Sequence, residues 1–331
     1  MVTSIIMLMV SLLSAQEKII DWVKETDKAE WKARDSQGEV VYKNKLWILG
    51  GWFNSNEASS REVWSSSDGK HWNLENKSAP WIHSDLAMSI VFKGKMWMMG
   101  GWYNGRMEGH SASNKLWVSS DGVNWKLATG RAAWSPRAGA AIVEFKGKMW
   151  LIGGTENYLF GNNESLKNDI WYSSNGEKWK LATKNAGWPP RAFHQAAVLN
   201  GKIYVFGGGN YFPEYRAEND VWSSEDGIHW IQVTAAAPWH ERLWFSSVVY
   251  RNRIWVMGGW SNNPDKNWSD VWYTKDGKNW KLFKSNVCWN ERHEQSAFVY
   301  DDKIWIAGGN TYPLVNDVWT LKIPEDWFDD N

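Results

Sequence analysis

The sequence predicts an all-β fold, a six-bladed β-propeller of four-stranded antiparallel blades. Three observations carry the prediction. Glycine pairs recur six times, at Gly50-Gly51, Gly100-Gly101, Gly153-Gly154, Gly207-Gly208, Gly258-Gly259 and Gly308-Gly309, 50 to 54 residues apart. Every interval repeats one order of apolar runs and turns. Six tryptophans, at 22, 72, 125, 179, 230 and 280, each stand 28 residues before the first glycine of a pair. A period near 50 marks an architecture in which neighbouring units bury one another's faces.

Within a repeat the strands follow in order. The first is an apolar run such as "AAIVEF", and a two-residue turn links it to the second, as in "FKGKMW". The second ends on the glycines ("KMWLIGG", "KIYVFGG", "RIWVMGG"). A polar loop leads to the third, marked by Trp64, Trp117, Trp171, Trp222, Trp272 and Trp319. A "DG" or "NG" hairpin turn precedes the fourth, which opens on the next tryptophan. Trp22 obeys the 28-residue rule with no first three strands before it, and the last repeat runs out after three. Residues of about 20–31 are therefore expected to supply the fourth strand of the last blade and so remove two open sheet edges. Trp327, eight residues after Trp319 but without a glycine turn, reads as a remnant hairpin tryptophan.

Comparing the six copies separates scaffold from site. The second-strand position at Trp47, Trp97, Trp150, Tyr204, Trp255 and Trp305 is always aromatic, as a core shared between blades requires. The position after the glycines holds Trp52, Trp102, Thr155, Gly209, Trp260 and Asn310, so the fold does not demand an aromatic there. All length variation falls between the glycines and the third strand. Insertions confined to one connection lie on one face, often the binding face. Those loops carry Phe53, Tyr103, Tyr158, Phe160, Tyr211, Phe212, Tyr215, Trp268 and Tyr312.

The glycine pairs, the aromatic three residues before them and the downstream tryptophan resemble kelch repeats over nearly the whole chain. The hairpins "SSDGKHW" and "SSDGVNW" are similar to a shortened Asp-box, a structural turn of sialidase-type propellers. The resemblance implies that the arginines at 34, 137, 191, 242 and 292 (Ser84 in the second copy) brace adjacent blades. It also implies that the post-glycine slot and the two residues after the arginine line the central mouth. By blade order this gathers Asp35, Trp52, Asp85, Trp102, Trp244, Trp260, His293, Glu294 and Asn310 as candidate ligand-binding residues. Rings beside carboxylates and amides suit a carbohydrate, by stacking and edge hydrogen bonds; aromatics serve a protein partner equally well.

Among enzymes, a galactose-oxidase-like copper site is not expected, because the one cysteine, Cys288, sits in a fourth-strand context. The arginine triad of sialidases is missing. A sugar mutarotase like the six-bladed kelch sialic-acid epimerases needs only an acid and a base near the anomeric centre, which Asp35, Asp85, His293 or Glu294 could supply. A binding module is the leading expectation, with no cofactor and no metal; "NNPDKNWSD" (262–270) is only a faint calcium-loop signal.

Charge balances at 37 basic against 37 acidic residues, which speaks against nucleic acid as a partner. Residues 1–15, "MVTSIIMLMVSLLSA", contain an apolar run too short to span a bilayer and resemble a secretory signal peptide without a basic n-region. The expected organisation is a signal at 1–15 and a single propeller at 16–331. That chain would be monomeric, free of the membrane once the signal is removed, and exported to the periplasm or cell exterior; without a cleaved signal it would be cytoplasmic.

Overall fold

The computed structural model describes residues 19–54 and 56–330; the segment read as an export signal lies outside the described residues. Six four-stranded antiparallel sheets stand around an axis. In the first blade the order from the axis outward is Gly38–Tyr42, Lys45–Leu49, Val63–Ser66 and Asn73–Asn76, and the next four repeat it. The sixth is composite. Ser296–Tyr300, Lys303–Ala307 and Val318–Leu321 are completed by Val23–Thr26, antiparallel to the third strand with Val23 opposite Thr320. The ring thus closes through the N-terminal strand, as the spacing of Trp22 predicts.

Blades adhere through the aromatic slots. Each hairpin glycine lies against the second-strand ring of the preceding blade: a Cβ on Gly122 would stand 2.2 Å from the ring of Trp47, and one on Gly69 would stand 2.0 Å from Trp305. Only glycine permits that approach, and its positive φ (+82° at Gly122) suits the turn. The Asp-box-like hairpins are structural. Asp68 Oδ1 accepts from the Lys70 and His71 amides, and the Trp72 indole donates to the Gly69 carbonyl at 3.1 Å.

The recurrent arginines are fully buried and act as braces. Arg191 donates to the Gly207 carbonyl at 3.0 Å and bidentately to Asp220, which also accepts from the Trp222 indole at 2.7 Å. Arg34, Arg137, Arg242 and Arg292 repeat this with Glu62, Asp169, Asp270 and Asp317. In the second copy both partners change: Ser84 replaces the arginine and Lys115 the carboxylate.

Trp327 corrects the sequence reading. It lies in the C-terminal helix Glu325–Asp330 and packs its ring on Trp255, Tyr273 and Phe283 of blade five, with centroids 5.1–6.0 Å apart. It covers a blade face and is no vestige of a hairpin.

Candidate functional site

The two variable slots are cross-strand neighbours in every blade. Isolated bridges pair Asp35 with Trp52, Asp85 with Trp102, Ala138 with Thr155, Ala192 with Gly209, Leu243 with Trp260, and His293 with Asn310. The next residue, the second after the arginine slot, turns into the axis with positive φ in all six copies: Ser36, Leu86, Gly139, Phe193, Trp244 and Glu294, at +52° to +59°. Five backbone hydrogen bonds link these six. Glu294 donates to Trp244, Ser36 to Glu294, Leu86 to Ser36, Gly139 to Leu86 and Phe193 to Gly139, at 2.8–3.3 Å. The gap in the collar falls between Phe193 and Trp244, whose rings meet at 5.3 Å.

This collar separates two axial spaces. Below it the first strands line a channel of about 270 Å³ that holds Glu39. Above it lies a mouth cavity of about 180 Å³, bounded by Asp35, Asp85, His293, Glu294 and Asn310 with the rings of Trp52, Tyr158, Tyr211, Trp244, Trp260 and Tyr312.

Eight of the nine candidate residues therefore line one cavity; Trp102 does not. It is 1% exposed, its indole donates to the Gly105 carbonyl at 2.9 Å, and its ring stacks on His110 at 5.5 Å. The reason is the long blade-two loop, which folds back over its own tryptophan. Tyr158 stands between that ring and the cavity, 6.2 Å from Trp102. Trp260 lines the cavity but is nearly buried, held by Asp265 Oδ1 at 2.9 Å and flanked by Tyr211, Tyr215 and Trp244.

Sequence comparison put Ser36 in a mouth-lining slot, but missed Tyr158, Tyr211, Tyr312 and the exposed rim residue Arg106 as lining residues. The three tyrosines lie in the variable loops, and blade order alone does not say how far a loop reaches across the axis. The small residues Thr155 and Gly209 leave the space above blades three and four into which Tyr158 and Tyr211 lean. Tyr211 meets Trp244 at 4.9 Å.

The floor is acidic. Asp35 and Glu294 lie within hydrogen-bonding reach of each other. The Ser36 hydroxyl donates to Glu294 Oε2 at 2.7 Å, and Asn310 Nδ2 reaches Asp35 Oδ2 at 3.4 Å. Asp35 Oδ1 and Glu294 Oε1 receive no donor from the described residues. Burial, and then the neighbouring Glu294 charge, holds the carboxyls of Asp35 and Asp85 well above their ordinary range. Burial pushes Glu294 up to about 7 and the His293 imidazole down to about 3. His293 is accordingly neutral, and its tautomer follows from its neighbours. Asn267 donates its Nδ2 to the Asn310 carbonyl at 2.9 Å, so its oxygen faces His293 Nδ1 at 2.7 Å and takes that proton. His293 Nε2 is left as an acceptor. One ligand atom each from Asp35, His293 and Glu294 lies within 4.8 Å of the other two, a set that could also hold a cation.

Fold and site together define a class: a propeller with a ligand cavity at its axial mouth. The chain belongs to the kelch-repeat family. The KLHDC2/KLHL20/DRC7 Kelch-repeats domain model matches residues 139–329. The chain is also similar to the alpha chain of the flagellar outer-arm dynein of Chlamydomonas reinhardtii, 29% identical over 177 residues. That match covers 47% of this chain and 4% of the dynein, so the chain corresponds to a small part of that relative. A kelch propeller is a general binding module.

Proposed function

We propose that this propeller recognises a protein partner on the loop face, with one group of the partner entering the axial mouth. The carrying observation is that eight residues from the variable slots line one cavity, closed beneath by the collar. Its volume, about 180 Å³, is below the ~300–1,000 Å³ usual for drug-sized ligands and suits a single side chain or chain terminus. Family membership supports the same reading, since kelch propellers commonly bind proteins. Trp52, half-buried at the wall, and Tyr312, 65% exposed at the rim, offer the accessible aromatic area that dominates such contacts.

The test is selection from a displayed peptide library with the wild-type chain, followed by re-measurement against Trp52→Ala. Selected peptides are expected to bind the wild type and to lose tenfold or more in affinity for the variant. Enrichment of no peptide, or of peptides indifferent to Trp52, contradicts the proposal.

A second reading rests on its own observation, the acid pair Asp35–Glu294 beside an acceptor nitrogen of His293, with one ligand atom of each within 4.8 Å of the other two. Those groups suit a monosaccharide, either bound or anomerised by acid–base transfer. A glycan array, and NMR saturation transfer between sugar anomers, test it; no bound glycan and no acceleration over buffer would remove it.

A further inference from the structure

The mouth cavity has a composition that a general protein-binding surface does not need. Three carboxyl side chains, Asp35, Asp85 and Glu294, meet there beneath a wall of rings, and the cation that lines the space, Arg106, is exposed at the rim. Asp35 is 2% exposed, yet its Oδ1 takes no hydrogen bond from the described residues, and neither does Glu294 Oε1. A buried carboxylate oxygen without a donor is costly. It calls for a proton or a cation, and the surroundings select among cations. Aromatic faces attract organic cations through their quadrupole, while a divalent metal ion is held by oxygen and nitrogen ligands and makes no use of a wall of rings. The space is several times the ~30 Å³ that one water occupies in the liquid, room for a head group and an alkyl stem.

We infer that the cavity receives an alkylammonium group, as on a lysine side chain, with its N–H donors on the free oxygens of Asp35 and Glu294 and its stem against Trp52, Tyr158, Tyr211 and Tyr312. This rests on the protein-recognition reading and names the group that enters. The ammonium supplies donors that these oxygens lack, and its charge favours the ionised carboxyls against the burial, and after it the neighbouring Glu294 charge, that raise Asp35 and Asp85. His293 Nε2 remains as an acceptor for whatever adjoins the head group.

The full chain is titrated at pH 7.5 by calorimetry and tryptophan fluorescence with n-butylammonium, with Nα-acetyl-lysine methylamide, with the neutral alcohol n-pentanol, and with Mn²⁺ and Zn²⁺. Both ammonium probes are expected to bind at least tenfold more tightly than n-pentanol. Asp35→Asn, which keeps the shape and removes the charge, is expected to lose about tenfold or more for them. Glu39→Gln, below the collar, is expected to bind them as the wild type does. Tighter binding of the lysine amide than of n-butylammonium assigns the ligand to a protein side chain; the reverse order assigns it to a free amine. Equal affinity for n-pentanol, or saturation by Mn²⁺ or Zn²⁺ with no response to either ammonium probe, overturns the inference. Failure here is separable from failure of the module reading. Peptides that require Trp52 yet carry no lysine or free amine would uphold the second and sink the first.

Discussion

Asp35 and Glu294, 259 residues apart in the chain, come within hydrogen-bonding reach of each other at the seam where blade six meets blade one. Ring closure by the N-terminal strand, which pairs Val23 with Thr320, is what brings them together. The site is thus assembled from the two ends of the repeat array, and its acid pair exists only in the closed ring.

That pair, with Glu39 in the channel, makes stability pH-dependent in a defined direction. Glu39 is pushed up to about 8 and Glu294 to about 7, both by burial. Between the ordinary carboxylate range and those values the folded chain keeps a proton that the unfolded chain has released, so stability falls as pH rises. His293, held near 3, acts in the opposite sense below its ordinary 6.5, where only the unfolded chain takes up the proton. Above pH 6.5 the acids act without it. His71, raised by Asp68, adds a weak change of the same sign at an exposed site. The melting temperature is expected to fall from pH 6.5 to 8, with stability lost at no more than about 1.4 kcal/mol per pH unit for each acid. Glu39→Gln should flatten the slope; thermal melts across that range decide it, and an unchanged slope contradicts the assignment.

Trp102 and Trp52 occupy equivalent slots but are expected to fail differently. Trp102 is buried under its loop, so Trp102→Ala should cost about 3–5 kcal/mol of stability. Trp102→Phe should keep wild-type affinity for any mouth ligand. Trp52→Ala should leave the melting temperature within a few degrees and weaken binding. Denaturant titration beside affinity measurement separates the two, and an affinity loss in Trp102→Phe would return that ring to the site.

The second copy offers a test of the brace. Ser84→Arg alone would bury a guanidinium with Lys115 where the other blades put a carboxylate, and is expected to lower stability by about 3 kcal/mol or more. Adding Lys115→Asp should recover most of that loss. A double-mutant cycle with no coupling between the two positions would show that arginine and carboxylate do not act as a unit.

Two glycines with similar φ are expected to respond unequally. At Gly94 (φ +67°) nothing lies within 4 Å of an added Cβ, so Gly94→Ala should cost only the backbone strain, about 1 kcal/mol. Gly122→Ala drives a methyl into Trp47 of the preceding blade and should cost about 2–4 kcal/mol. Equal melting temperatures for the two variants would contradict the blade contact.

Blade count, strand order and ring closure were legible because they rest on spacing, which repeats six times. The site was legible where the backbone repeats: Asp35, Trp52, Asp85, Trp244, Trp260, His293, Glu294 and Asn310 hold slots set by the collar and the bridges. It was not legible in the loops. Trp102 is covered because of how residues 103–113 fold back, and Tyr158, Tyr211 and Tyr312 reach the cavity across loops of unequal length that no repeat constrains. Trp327 escaped for a related reason, since the C-terminal helix belongs to no repeat.

The central claim is that ligands enter at the axial mouth above the collar. Hydrogen–deuterium exchange of the full chain with and without a peptide selected on it tests that most directly. The account predicts slowed exchange in the segments around 52–54, 104–106, 158–159, 211–215 and 310–312, and no change on the outer strands. Protection confined to the outer strands, or to the turns at the opposite face, would contradict it.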